Sequence, residues 1–352
     1  MEFPLARTVL ATRTARSSHG GPPVPQSTLQ IAVLIPCLNE EAAIAKVVSD
    51  FHASLPDAAI YVYDNGSLDR TATVARQAGA IVRTEPLKGK GNVMRRMFAD
   101  VEADVYVLVD GDDTYHAASA PALVERLLRD HIDMVNGARQ EISVRAYRAG
   151  HRFGNRLLTG LVGYFFGERL TDILSGYRVM SRRFVKSFPA LASGFEIETE
   201  LTVHALQLRL PIAEVPTPYR DRPPASASKL RTFPDGMRIL RLIARMVREE
   251  RPLQFFSSFA AVLAVTSLGL ATPVILDYFR TGLVPRLPTA VLSMGLMLLS
   301  FLGLTCGMIL ATVTRGRIEA KRLKYLEIPA RREEALSDPP ARFTRPRVRL
   351  SR

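Results

Sequence analysis

Short apolar runs alternate with segments of helical spacing from residue 31 onward. Residues 31–35 read as a buried strand, 40–54 as a helix with Ile44, Val47, Val48 and Phe51 on one face, and 60–63 as a second strand. A helix over 69–78, a strand over 80–83, a helix opened by Lys88-Gly89-Lys90-Gly91 and running through 98, and a strand over 105–109 continue the series. Beyond them 120–129 reads as a helix and 134–138 as a strand ending at Arg139. Strands alternating with helices predict an α/β domain with a mainly parallel, Rossmann-like sheet.

The pattern changes in the second half. Residues 151–167 mix Arg152 and Arg156 with seven large apolar residues, which suits a core helix or one lying in a membrane interface. In 234–250, Arg238, Arg241, Arg245 and Arg248 recur at three and four while Met237, Leu240, Ile243, Met246 and Val247 fill the other face. Residues 252–276 and 287–314 then contain no charge, and each stretch exceeds the roughly 20 residues that cross a bilayer. The expected organisation is a tail over 1–30, a catalytic domain over 31–232, a basic amphipathic interfacial helix over 233–251, a transmembrane hairpin over 252–314 with helices near 253–276 and 288–313, and a basic tail over 315–352. Arginines and lysines flank the outer ends of both spans, so both termini and the catalytic domain are expected on the cytoplasmic side.

Charge sharpens this reading. The 352-residue chain carries a formal charge of +13, nearly all of it in 222–251 and 315–352. A surplus confined to the flanks of apolar segments fits an anionic bilayer surface and argues against a nucleic-acid partner, which needs a basic face on the folded domain. Cys37 and Cys306 are far apart in unlike surroundings and are expected as free thiols.

The chemistry gathers just after strands. Val105-Tyr-Val-Leu-Val ends in Asp110, Asp112 and Asp113, hard oxygen donors suited to Mg²⁺ or Mn²⁺ with substrate phosphate. By itself such a cluster reads equally as a solvated acidic turn. Pro36-Cys37-Leu38-Asn39-Glu40 follows the first strand and Asp64-Asn65-Gly66-Ser67 the second. These three segments, in this order, resemble the nucleotide-sugar half of inverting GT-A-fold glycosyltransferases of family 2. The resemblance is nearest to membrane-bound polyprenyl-phosphate glycosyltransferases of the dolichol-phosphate mannosyltransferase kind. Asp172-Ile-Leu-Ser-Gly-Tyr-Arg178, Phe195-Glu-Ile-Glu198 and the loop holding Ser228-Lys229 extend it, with Ala225 where that family commonly has glycine.

The resemblance implies transfer of a sugar from a nucleoside-diphosphate sugar to polyprenyl phosphate, undecaprenyl or dolichyl, with inversion. Pro36, Asn39, Glu40, Asp64, Lys90 and Asp110 would bind the donor, and Asp110 and Asp112 would hold Mg²⁺ or Mn²⁺. Asp172, Glu198 and Arg178 would form the catalytic group, and Arg139, Arg152, Arg156, Ser228 and Lys229 would seat the lipid phosphate. Arg178 is expected to act mainly on the lipid acceptor, while Asp113 is assigned no definite part and a homo-oligomer is left open. Two other readings are a processive polysaccharide synthase, disfavoured because the chain has no tryptophan and only two spans, and a catalytically silent nucleotide-sugar-binding scaffold.

Overall fold

A computed structural model describes residues 29–141, 170–220 and 251–329, together with Gly160, Gly163, Arg245, Arg248 and Glu249. The tail over 1–28, most of the two segments read as interfacial helices, the 221–232 loop and residues beyond 329 lie outside the described residues.

The expected alternation is present: β1 (Ile31–Cys37), α1 (Ile44–Ser54), β2 (Ala59–Asp64), α2 (Thr71–Gln77), β3 (Ile81–Thr84), α3 (Lys90–Asp100), β4 (Val105–Leu108), α4 (Ala120–Arg129) and β5 (Met134–Glu141). It continues through β6 (Arg178–Ser181), α5 (Arg182–Ser187), α6 (Ile197–Leu208) and β7 (Ile212–Tyr219). The seven strands lie in the order β3-β2-β1-β4-β6-β5-β7. β6 runs antiparallel to both β4 and β5, while the other strand pairs are parallel.

The sheet is buried on both faces, as the unbroken apolar runs require. Val33, Ile35 and Val107 point toward α1 and α4, meeting Ile44, Val48, Phe51 and Leu123. Their neighbours Ala32, Leu34, Tyr106 and Leu108 point the other way, toward Met94 and Met97 of α3, Phe184 of α5 and Leu201 of α6. Successive strand residues face opposite sides, so one run feeds two cores. α1 begins at Ile44, later than its apolar spacing suggests, because Glu40 is drawn to the second loop by its N–H donating to the Thr71 hydroxyl at 2.8 Å.

Two long helices follow, α7 (Pro252–Thr281) and α8 (Leu287–Glu327). Their contact is lined by small residues seven apart: Ala260 and Ser267 on α7, and Ser293, Ser300 and Gly307 on α8 are all buried. That period matches a left-handed helix pair. Ser267 donates to the Ser293 carbonyl at 2.6 Å, and Ser300 to the Ala260 carbonyl at 2.7 Å. The outward residues, among them Phe259, Val265, Leu298 and Phe301, are exposed and apolar.

α8 differs from expectation in its length. It continues past the last uncharged residue as far as Glu327 and lies against the catalytic domain, where Tyr325 donates to Asp133 at 2.9 Å and Lys321 to Gln207 at 2.9 Å. The start of the segment read as a basic tail is therefore a helical strut, because the catalytic domain offers fixed partners to its polar side chains.

The start of α3 meets the 192–193 backbone closely. Gly91 donates its N–H to the Ser193 carbonyl at 3.0 Å, and a Cβ at this position would lie 2.7 Å from the Ala192 carbonyl carbon. Gly91→Ala should lower stability by about 2 kcal/mol, since two backbones cannot both yield to a methyl group. The check is the Tm of the purified chain in detergent, and an unchanged Tm would mean that this contact is not tight.

Candidate functional site

The polar loops converge at the carboxyl edge of the sheet, where ligands collect in open α/β folds. The first two loops clasp each other. Asn39, in the left-handed region at φ 52°, donates its N–H to the Ser67 hydroxyl at 2.8 Å and accepts the Leu68 N–H at 2.8 Å. Asp64 accepts the Ser67 N–H at 3.2 Å on each oxygen, closing a tight turn. Pro36 closes β1 beside Tyr63, and Glu40 is buried where the loops meet. Asn65 extends the clasp by donating to the carbonyls of Glu85 and Leu87 and accepting the Gly89 N–H at 2.7 Å.

Asp110 and Asp112 have different surroundings. The Asp110 side chain is 27% exposed and receives Lys90 Nζ at 2.6 Å. Its carboxyl group packs against Gly176, where a Cβ would lie 2.9 Å from Asp110 Cγ, so the glycine of the 172–178 segment makes room for this acid. Asp112 is buried, and its Oδ1 accepts the Thr114 N–H at 3.2 Å and hydroxyl at 2.6 Å. Asp113 adopts φ 56° and pairs outward with Lys46 at 2.8 Å.

Lys90 sits at the start of α3 between two acids, pairing with Glu198 as well as Asp110. Burial opposes its charge, but the two carboxylates outweigh that cost and raise its pKa well above the usual lysine range. Three elements, α3, the loop after β4 and the start of α6, are thereby tied at one ammonium.

Asp172 is bound just as firmly. Arg139 grips Asp172 through Nε at 2.7 Å and Nη2 at 2.8 Å, while its ring-facing side lies over Tyr219 at 5.6 Å. Burial works against the Asp172 carboxylate, but the Arg139 guanidinium and N–H prevail and hold its pKa below the ordinary value. The Asp172 N–H donates to Glu214, which also accepts from Thr171 and Asn136.

Arg178 requires a correction. It is fully buried and donates to the carbonyls of Ser175, Ile173 and Glu198 and to the Thr202 hydroxyl, at 2.7 to 3.1 Å. Direct contact with a lipid phosphate is incompatible with this environment; Arg178 instead fastens the 172–177 loop to α6. Arg152, Arg156, Ser228 and Lys229 lie outside the described residues.

Two contributors have no motif behind them. Tyr115 accepts the Gly176 N–H at 2.8 Å and packs on Tyr219, and its phenol is kept neutral because burial pushes its pKa well up. Glu214 was detectable only as an acid inside an apolar strand, a position that demands buried partners.

Among the described residues no group of three or more His, Cys, Asp or Glu side chains is arranged as a metal cage. The donor set still fits Mg²⁺ or Mn²⁺, which commonly bind through one or two carboxylates with the rest of the shell supplied by substrate phosphate and water. Asp110 is the more accessible of the two carboxylates, 27% exposed, while Asp112 is buried beside it in the same turn.

The sequence model of glycosyl transferase family 2 matches residues 32–188. The chain is 31% identical to glycosyltransferase AglJ of Haloferax volcanii, over 84% of this chain and 98% of that one. It is 30% identical to the dolichyl-phosphate hexose transferase of the same organism, over 63% of this chain and 95% of the relative. Glucosyl-3-phosphoglycerate synthase from Mycobacterium tuberculosis, solved with Mn²⁺, UDP-glucose and phosphoglyceric acid, superposes with a TM-score of 0.51 at 26% identity, covering 62% of this chain and 79% of that one.

Arg178→Met should cost about 3 kcal/mol of stability, because several buried carbonyls lose their donor. It should weaken donor and acceptor use together; a selective loss of acceptor binding would restore Arg178 to direct contact. The Asp172 pKa is depressed in the fold, so its stabilising contribution is complete above the unfolded value of about 3.9 and fades as pH falls through the lower folded value. Arg139→Met should therefore destabilise near neutral pH, with a deficit that shrinks below about pH 4. Denaturation across that range tests this, and a deficit independent of pH would show that the pair is not its source.

Proposed function

Since the chain belongs to glycosyltransferase family 2 and is a glycosyltransferase, we propose that it moves a hexosyl group from a nucleoside-diphosphate sugar to a polyprenyl phosphate at the cytoplasmic membrane face. The observation that carries the choice of acceptor is the state of the two acids beside it. Asp172 is held ionised by the bidentate grip of Arg139, and Glu198 is tied to Lys90. Asp172, held in this pair, is a poor base for a sugar hydroxyl, and Glu198, though burial raises its pKa, has its carboxylate engaged by Lys90. A phosphate monoester is already ionised near neutral pH and needs no base.

The exposed apolar surfaces of α7 and α8 support a lipid acceptor, because they carry the enzyme in the phase where that acceptor resides. The dolichyl-phosphate hexose transferase relative supports the same class. In the proposed reaction a lipid phosphate oxygen attacks the anomeric carbon as the bond from that carbon to the diphosphate oxygen breaks. The electron pair leaves with the nucleoside diphosphate, and configuration inverts.

The residues divide this work. The clasped loops at Asn39–Glu40 and Asp64 line the nucleoside side, and Pro36 shapes its floor. Asp110 and Asp112 would hold Mg²⁺ or Mn²⁺, which when bound offsets charge on the departing diphosphate. Lys90 has three ammonium N–H groups and two carboxylate partners, so its third donor is available to a phosphate oxygen. Arg139, which orients Asp172, would seat the acceptor phosphate together with Arg152, Arg156, Ser228 and Lys229, as the family resemblance implies.

The test combines the detergent-solubilised chain, Mn²⁺, labelled nucleotide sugars and a polyprenyl phosphate. The expected product is a lipid-linked sugar phosphodiester that disappears on chelation. Asp110→Asn should lower kcat by about a hundredfold or more, beyond what the loss of Tm from weakening its pair with Lys90 explains. Release of free sugar alone, or labelling of protein, would overturn the acceptor assignment.

A further inference from the structure

A cavity of about 830 Å³ lies where the C-terminal end of α6, the N-terminal end of α7 and the α8 strut meet. Its size falls among ligand sites of roughly 300–1,000 Å³. One part of its wall is apolar, with Leu210, Leu253 and Ile318; the other carries Arg209, Arg251, Arg315 and Arg322 with, among the described residues, one acid, Glu319. The Arg209, Arg315 and Arg322 side chains have no ion-pair or hydrogen-bond partner among the described residues. Exposed Arg209, Arg315 and Arg322, gathered on one wall without partners among the described residues, repel one another unless an anion joins them.

The position of the cavity identifies the kind of anion. Arg251 immediately precedes the uncharged stretch of α7, and Arg315 immediately follows that of α8, so the two mark one level at the edge of the apolar hairpin. An occupant there meets arginines on its water side and the exposed aliphatic flanks of α7 and α8 on the other. We propose that this cavity binds the headgroup phosphate of an anionic phospholipid from the bilayer, with the acyl chains lying along the hairpin. Basic pockets at the ends of membrane helices are suited to such headgroups.

This site is separate from the sugar-transfer site. Glu198 stands in the first turn of α6 and Arg209 just past its last, which sets them roughly 15 Å apart along the helix. A phosphate among the arginines is therefore out of reach of the sugar, and the lipid acts as a structural ligand. It neutralises the arginines and joins α6, and through it Glu198, to the two membrane helices.

The proposal rests on the membrane-spanning reading of α7 and α8, and the experiment separates the two. The full chain is placed in nanodiscs of phosphatidylcholine alone or with a minority of phosphatidylglycerol, and retained lipid is read by native mass spectrometry after release. Retention of one phosphatidylglycerol in preference to phosphatidylcholine is expected. The Arg209→Gln/Arg322→Gln double variant should lower that retention roughly tenfold or more, and Arg209→Lys/Arg322→Lys should keep much of it. Incorporation into neutral discs with equal retention of both lipids, or preference unaffected by the glutamine variant, overturns the lipid site alone. Displacement of the lipid by inorganic phosphate at low concentration would assign the arginines to a soluble anion instead. Failure to enter neutral discs would overturn the spanning reading and this proposal with it.

Discussion

A buried guanidinium with no carboxylate in its grip organises the catalytic edge. Arg178 spends its N–H groups on carbonyls from the 172–177 loop and the first turn of α6, and on the Thr202 hydroxyl. Burial pulls its pKa down, yet a guanidinium remains charged across any physiological pH, so the contacts are permanent. Because one side chain holds both segments, Asp172 reaches Arg139 and Glu198 reaches Lys90 without either acid needing a partner from its own element. The reactive groups are placed by a residue that touches no solvent.

The reversed direction of β6 is what lets this happen. Most of the site follows parallel strands, as ligand-binding loops do in this architecture. The 172–177 segment instead precedes a strand. β6 enters the sheet antiparallel between β4 and β5, with Arg178 opposite Leu108 and Asn136, so its beginning lies at the edge where β4 ends, while β5 runs on beyond it. Gly176 then meets Asp110 closely enough that no side chain fits between them. The 110–113 and 172–178 segments thus share one wall.

At the other end of the sheet the domain is coupled to the helical hairpin. Tyr325 of α8 donates to Asp133 just before β5, and Arg183 lies over the Tyr325 ring at 5.5 Å while donating to the Ile328 carbonyl. The hairpin is joined to the catalytic domain by a helix running from apolar to charged without a break. Such a strut restrains the domain relative to the hairpin more strongly than a flexible linker would.

The linear sequence determined the alternating elements, both apolar spans, the clasping loops at 36–40 and 64–71 and the acid cluster after β4, because each depends on local periodicity or on motifs of a few residues. Even α4 was legible to its end residues, its apolar spacing and neighbouring breaks being unambiguous. Which charges meet was decided only by tertiary structure. Lys90 and Glu198 are 108 residues apart, and Asn136 and Glu214 are 78 apart. No local pattern records a pairing that arises when strands are ordered in a sheet. The same reason explains Arg178: an arginine in a polar motif looks like a ligand for phosphate, and only the packing of α6 over β6 reveals that its cation is enclosed. The basic segment after the second span likewise reads as a tail until the catalytic domain supplies the surface on which it stays helical.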